Sequence, residues 1–401
     1  MQSQMSSNTF FFLTVTFTIL SILGQVSTNI YSPFFYDLAK MYNSHVEVVE
    51  QSVAIFLVAF SISQLVSGIV CDYINKQRLL LCGILAFCLG TVMIILADTE
   101  STFLFGRIIQ GLGGGVGVSV SRGLSRQIFT EKQLNISLSL TNIAFAIAPA
   151  MAPMMGTLIG ESFGTTAIFH VVLMMGVIAL LLLSSILTAV EKYTPATSIN
   201  VLSETLGLIK TSMMNILFIG MASGFLYGIV FSFITAAPSM VMEQFGLSKT
   251  MFSICSLFAT FSFVLGSLIN IRLVAIPALR KFKFSSLCIF MLSLIFLLLV
   301  AGLNLDGLVT TLGFSYAAFF FIGIAMPCSV TILLGFSETS AGFLAALTGF
   351  FHLAGAAIGA YAVTILTMDP VVSFSYVTFA LSLTSLFTCL LYKKHNNTPR
   401  H

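Results

Sequence analysis

Apolar runs of about twenty residues, separated by short polar gaps, recur twelve times along the chain. They fall near 10–32, 48–71, 79–97, 102–121, 134–158, 166–190, 213–236, 251–271, 285–302, 307–334, 341–366 and 371–391. A run of about 20 apolar residues is what crosses the ~30 Å hydrocarbon core of a bilayer as a helix. The expected fold class is therefore an all-α membrane protein with twelve transmembrane helices. Residues 1–9 lack the basic segment of a secretory leader, so the first run is expected to stay in place as a helix.

Charge adds an orientation. The chain is 57% hydrophobic and 8% charged, too little charge for the surface of a water-soluble domain of this length. Fourteen of the seventeen basic residues, among them Lys76, Arg78, Arg126, Lys192 and Lys281, lie in the gaps after even-numbered runs or at the C-terminal end. The gaps after odd-numbered runs hold only Lys40 and Lys249, and Arg107 lies inside a run. The positive-inside rule then places both termini in the cytoplasm of a cell whose inner membrane the chain spans. The net charge of +3 is a topology signal and gives no reason to expect nucleic acid as a partner.

The seven cysteines are scattered through or beside the runs, without a CxxC pair or a Cys/His cluster, which argues against a disulfide framework or a metal site. No cofactor motif occurs, and no nucleophile or acid pair suggests an enzyme. Tryptophan is absent, so tyrosines such as Tyr36, Tyr42, Tyr73, Tyr193 and Tyr392 are expected to form the interfacial belt.

The chain divides near its middle. Residues 191–211 form the longest inward gap, with six runs before and six after, so 1–190 and 212–401 are expected to be two six-helix bundles joined by a cytoplasmic linker. A faint repeat supports this: Ser32-Pro33 closes run one and Ala237-Pro238 closes run seven, each followed by an acid, Asp37 and Glu243. Gly68-x-x-x-Asp72 in run two corresponds to Gly266-x-x-x-Asn270 in run eight.

These residues resemble the major facilitator superfamily. Gly68-Ile-Val-Cys-Asp72-Tyr-Ile-Asn-Lys76-Gln-Arg78 is similar to its signature loop, with Asn75 where a glycine is usual; asparagine also reaches the left-handed turn conformation. Arg107-x-x-Gln110-Gly111-x-Gly113 resembles the family's second motif. Ala148-Pro149-Ala-Met-Ala-Pro153-Met-Met-Gly156 resembles its antiporter motif. Tyr31-Ser-Pro33, Ser63-Gln64-Leu65, Phe245-Gly246-Leu247-Ser248 and the segment 342–355 resemble the bicyclomycin/chloramphenicol branch of drug:proton antiporters. The resemblance implies a monomeric secondary transporter exporting a small organic molecule, a drug or a secreted metabolite such as a siderophore, with protons as the candidate coupling ion and the lipid bilayer as its surroundings.

Each motif has a physical reading. Asp72, with Gly68, Lys76 and Arg78, can form a latch that holds the cytoplasmic end shut; the glycine permits close helix approach, and a solvated helix-end acid is the alternative. Arg107 lies about 10 Å along the helix from Glu100. A guanidinium inside the membrane is costly and faces a cavity or partner, an anionic substrate, a proton site, or polar neighbours such as Gln110 or Asn142. Asn29 stands where the branch usually carries a titratable aspartate, and none of the 14 acids falls in the middle of a run. His352, near mid-membrane, is the substitute proton carrier; a hydrogen-bonded interface residue is the competing reading. Asn29, Tyr31, Arg107, Gln110, Tyr227 and His352 are the candidate substrate-binding set. Pro149, Pro153 and Gly156 are the candidate hinge. The run Gly111, Gly113, Gly114, Gly115 and Gly117 lacks the lysine of a phosphate loop and reads as close helix packing. A facilitator or importer of an anionic solute using Arg107 stays open as an alternative.

Overall fold

A computed structural model describes residues 6–71, 74–193, 201–273, 275–337 and 341–392. Among them the chain is helical, with no strand. The order is α1 (Ser7–Asn29), α2 (Phe35–Met41), α3 (Val46–Val70), α4 (Lys76–Ile95), α5 (Glu100–Ile128), α6 (Glu131–Phe163) and α7 (Thr165–Tyr193). There follow α8 (Val201–Pro238), α9 (Lys249–Arg272), α10 (Ala278–Leu297), α11 (Leu308–Leu334), α12 (Ala341–Thr364) and α13 (Pro370–Leu391). A 3-10 turn, Ser32–Phe34, joins α1 to α2, and π-helical turns follow α8 (Ser239–Gln244) and α10 (Leu298–Gly302).

Eleven stretches among the described residues are long and apolar enough to cross a membrane, α1 to α2 counting as one. The 33-residue α6, about 50 Å long, supplies the twelfth span by length and position. Backbone polar groups have no water to bond in lipid, so continuous helices are the economical solution. Helix starts are marked by hydroxyl caps: Thr99 Oγ1 accepts from Thr102 N at 3.3 Å and Ser248 Oγ from Met251 N at 3.2 Å. Within the spans, serines and threonines donate back to carbonyls one turn earlier, as Thr28 does to Gly24 at 2.7 Å.

Several helices outrun the apolar stretches that announce them. α5 continues to Ile128, past Arg122 and Arg126, and α8 begins at Val201, inside the segment expected as a linker. The apolar criterion marks the part of a helix inside lipid, and a helix continues into the polar layer where its charged side chains are solvated. Run seven was expected to close at Ala237-Pro238. The helix reaches Pro238 and then widens into a π turn, with Phe245 N bonding Met240 O at 3.0 Å. Asn75 does not take the left-handed conformation; at φ −62° and ψ 110° it is an extended N-cap whose Oδ1 accepts from Gln77 N and Arg78 N.

Helices α1 to α7 pack among themselves, as do α8 to α13, and the two sets meet mainly where α3 lies along α12 and α6 along α9. The glycine run in α5 is a packing surface: a Cβ on Gly113 would fall 2.3 Å from Phe87 N in α4, and one on Gly115 2.5 Å from Phe60 O in α3.

Candidate functional site

Arg107 is the centre of a polar cluster inside the first helix set. It is fully buried. Its Nη1 donates to Ser27 O of α1 at 3.2 Å and to Gln110 Oε1 at 2.5 Å. The guanidinium lies between two rings, 4.7 Å from the Tyr31 centroid and 4.4 Å from that of Phe56 in α3. Such contacts are worth about 2 kcal/mol each when desolvated. Gln110 Nε2 passes the chain on to Thr91 Oγ1 of α4 at 2.8 Å. Tyr31 Oη is 2.7 Å from Ser52 Oγ. Asn29 Nδ2 donates to Gln25 O at 2.8 Å. Asn29 Oδ1, Gln25 Oε1, Arg107 Nε and Arg107 Nη2 have no hydrogen-bond partner among the described residues. No ion pair to Arg107 occurs among the described residues.

Four of the six expected binding residues, Asn29, Tyr31, Arg107 and Gln110, are thus brought together and enclosed. The other two lie in the second helix set. His352 of α12 is half-buried, with its ring 5.7 Å from Tyr227 of α8 and Nε2 3.4 Å from Ser329 Oγ of α11. The cation whose charge bears on His352 is Arg122 of α5, about four helical turns beyond Arg107.

The latch and hinge residues occupy opposite ends. Gly68 faces α12, where an added Cβ would lie 2.9 Å from Ala346 Cβ. Lys76 is buried and Arg78 exposed. Asp72, the acid of the expected latch, lies outside the described residues. In α6, Pro149 is half-buried and Pro153 buried, and Gly156 receives the carbonyl of Ile30 at the end of α1. Next to it, Thr157 Oγ1 meets Ser253 Oγ of α9 at 2.9 Å, joining the halves.

Sequence reasoning missed a second bridge between the halves, at the end of the molecule that carries α2 and the π turn after α8. Ser239 Oγ donates to Glu50 Oε1, and Tyr36 Oη donates to Glu243 Oε2 and sits 3.3 Å from Ser239 Oγ. Beside them Lys249 Nζ pairs with Asp37 Oδ2 at 2.5 Å and caps the Phe34 ring at 3.9 Å. The repeat-related acids Asp37 and Glu243 were the available signal. Each follows a proline at the end of its run, and each meets the opposite half. Tyr42, expected in the interfacial belt, is buried against Phe103 with ring centroids 5.1 Å apart.

The two helix sets thus meet along α3 with α12 and α6 with α9, with polar pairs added at one end. The family model described as Major Facilitator Superfamily matches residues 17–334, and the chain belongs to that family. It is a multi-pass membrane transporter and not an enzyme. It is 28% identical over 243 residues to the uncharacterized MFS-type transporter YdgK of Bacillus subtilis, covering 59% of this chain and 60% of that protein. It is 25% identical over 300 residues to the bicyclomycin resistance protein homolog of Haemophilus influenzae, covering 74% and 75%. With multidrug resistance protein D of Escherichia coli it shares 27% over 135 residues, 34% of each chain. The chain therefore spans 60% of the first of these relatives, and a third of the last. Among solved structures, the partially occluded inward open xylose transporter XylE of Escherichia coli superposes with a TM-score of 0.72 over 96% of this chain and 97% of that one, at 13% identity. A bacterial Spinster homolog in its inward-facing, unoccupied conformation gives 0.71 over 97% and 95%, at 12% identity. At such identities these likenesses concern the fold.

Proposed function

We propose that the chain exports a small organic molecule, a drug or a secreted metabolite such as a siderophore, across the inner membrane by alternating access. The observation that carries this reading is the relationship to proteins named for bicyclomycin and multidrug resistance, one of them aligned over three-quarters of its length. The seam supports it: a rocking mechanism needs contacts that separate at low cost, and the Glu50–Ser239, Tyr36–Glu243 and Asp37–Lys249 contacts are single polar pairs. In this reading the Arg107 cluster shapes the first half of the substrate path and Tyr227 with His352 the second. His352 is the candidate proton carrier in a chain whose Asn29 cannot titrate. Gly68 and Asp72, with Lys76 and Arg78, close the opposite, cytoplasmic end. Cells expressing the chain should hold several-fold less of a labelled resistance drug than cells carrying the empty vector. Equal levels across a panel of drugs and siderophores would end the exporter reading.

A second reading rests on the two unpartnered nitrogens of Arg107. They suit an anionic solute, and the chain would then be a facilitator or importer. Accumulation of labelled carboxylates in the same cells, in place of depletion of drugs, separates the two.

The orientation carries its own prediction. Both termini are proposed to be cytoplasmic, so the turn at Asn304 faces outward and Arg280 inward. In intact cells an impermeant maleimide should label Asn304→Cys, and should label Arg280→Cys only after permeabilisation, each in a background without the native cysteines. The reverse pattern would invert the assignment.

A further inference from the structure

We infer that Gln64, Arg122 and His352 form a substrate subsite in the seam between the two halves, on the cytoplasmic side of the Arg107 cluster, and that it takes a ring-bearing organic acid with a hydrogen-bond donor. The inference rests on the transport reading only in taking the seam as the path of the substrate.

Arg107 lies inside the first half. Ser27 of α1, Phe56 of α3, Gln110 of α5 and the Tyr31 ring surround it, and all belong to that half. It shapes the path from within one bundle. Arg122 is placed differently. Ser119, one turn earlier on the same face of α5, donates from Oγ to Gln64 O of α3 at 2.6 Å. The Gln64 side chain lies against α12, where a Cβ on Gly349 would run into its Nε2. His352 stands one turn along α12 from Gly349. Side chains on a helix lean toward its N-terminal end. Arg122 therefore leans back toward the level of Ser119, and His352 back toward that of Gly349, so both converge on Gln64. The charge of Arg122 reaches His352 across the seam, as this placement requires.

Gln64 is 3% exposed, and its Oε1 has no hydrogen-bond partner among the described residues. A buried amide oxygen without a donor is costly, and an N–H or O–H of a ligand would relieve that cost. Arg122 brings forked, permanently charged donors that match a carboxylate. The half-buried Tyr227 ring, 5.7 Å from that of His352, adds an aromatic surface beside them. A cation, an orphaned acceptor and a ring face together match an acid, a donor and a ring carried by one small molecule. A cationic drug would set its charge against Arg122.

Binding of tritiated meta-hydroxybenzoate to the purified full chain in detergent tests this, with unlabelled benzoate and meta-hydroxybenzamide as competitors. The amide lacks the charge and benzoate lacks the donor. The parent should prefer the hydroxy acid to the amide by about tenfold, and to benzoate by several-fold. Arg122→Gln should bring the preference over the amide close to one. Arg122→Lys keeps the charge without the fork and should fall between the two, so the outcome can be judged even where Arg122→Gln does not fold. Gln64→Leu should erase the preference over benzoate and keep that over the amide. Arg107→Met should keep both. Failure of the parent to bind any of the three compounds, a full acid preference in Arg122→Gln, an intact hydroxyl preference in Gln64→Leu, or an acid preference lost in Arg107→Met and kept in Arg122→Gln, overturns the inference. Efflux is not measured, so failure of the exporter proposal would leave the outcome legible.

Discussion

Replacing Arg107 with methionine should cut transport more than tenfold while leaving thermal stability equal or higher. The guanidinium is fully buried with no ion pair among the described residues, and a buried ion without a counter-ion is costly, whereas an apolar side chain of similar length fills the same slot between Tyr31 and Phe56. Arg107→Ala should differ. It removes the ring contacts and leaves a void between α1, α3 and α5, a loss of about 2–5 kcal/mol for a large-to-small change in a core. Thermal unfolding in detergent, read beside drug efflux, separates charge from volume. Efflux close to normal in Arg107→Met would reduce Arg107 to a packing residue.

The second large effect belongs to Gly156. A Cβ there would fall 1.7 Å from the carbonyl oxygen of Ile30, which is backbone and has no rotamer to yield. Gly156→Val must push α6 away from the end of α1, and with it Asn29 and Tyr31. It should cost about 1–3 kcal/mol or more, as overpacking does, and abolish transport. Gly313 in α11 has nothing within 4 Å of an added Cβ, so Gly313→Ala should be neutral or raise stability by about 0.5–1 kcal/mol. Equal behaviour of the two variants in a melting experiment would show that the α1–α6 contact is looser than the distance requires.

How far the sequence carries the reader differs between these residues. The spans were legible because lipid imposes a length and an apolar composition, and α13 begins within one residue of the run that announced it. Helix ends were less legible. Charged residues such as Arg122 and Arg126 close an apolar run without ending a helix, and Pro238 admits a π turn where a stop was expected. Arg107 could be recognised as a charge inside the membrane, and Gln110 as its neighbour three residues on. Its other neighbours could not be read from the chain, since Ser27 is 80 residues away and the choice between the carbonyl, the amide and the two rings is a matter of helix packing. Glu50 read as an acid at an outer helix end. Its bond to Ser239, 189 residues later, depends on how the two halves meet, and no local pattern records that.

The central claim is uphill export. Purified protein reconstituted into vesicles with its cytoplasmic face outward, loaded with acidic buffer and given a labelled drug outside, should concentrate the drug inside above its external level, and should cease to do so when an ionophore collapses the pH difference or when Arg107→Met replaces the parent. Equilibration to equal concentrations at the same rate with and without the pH difference would contradict the account and give the facilitator reading first place.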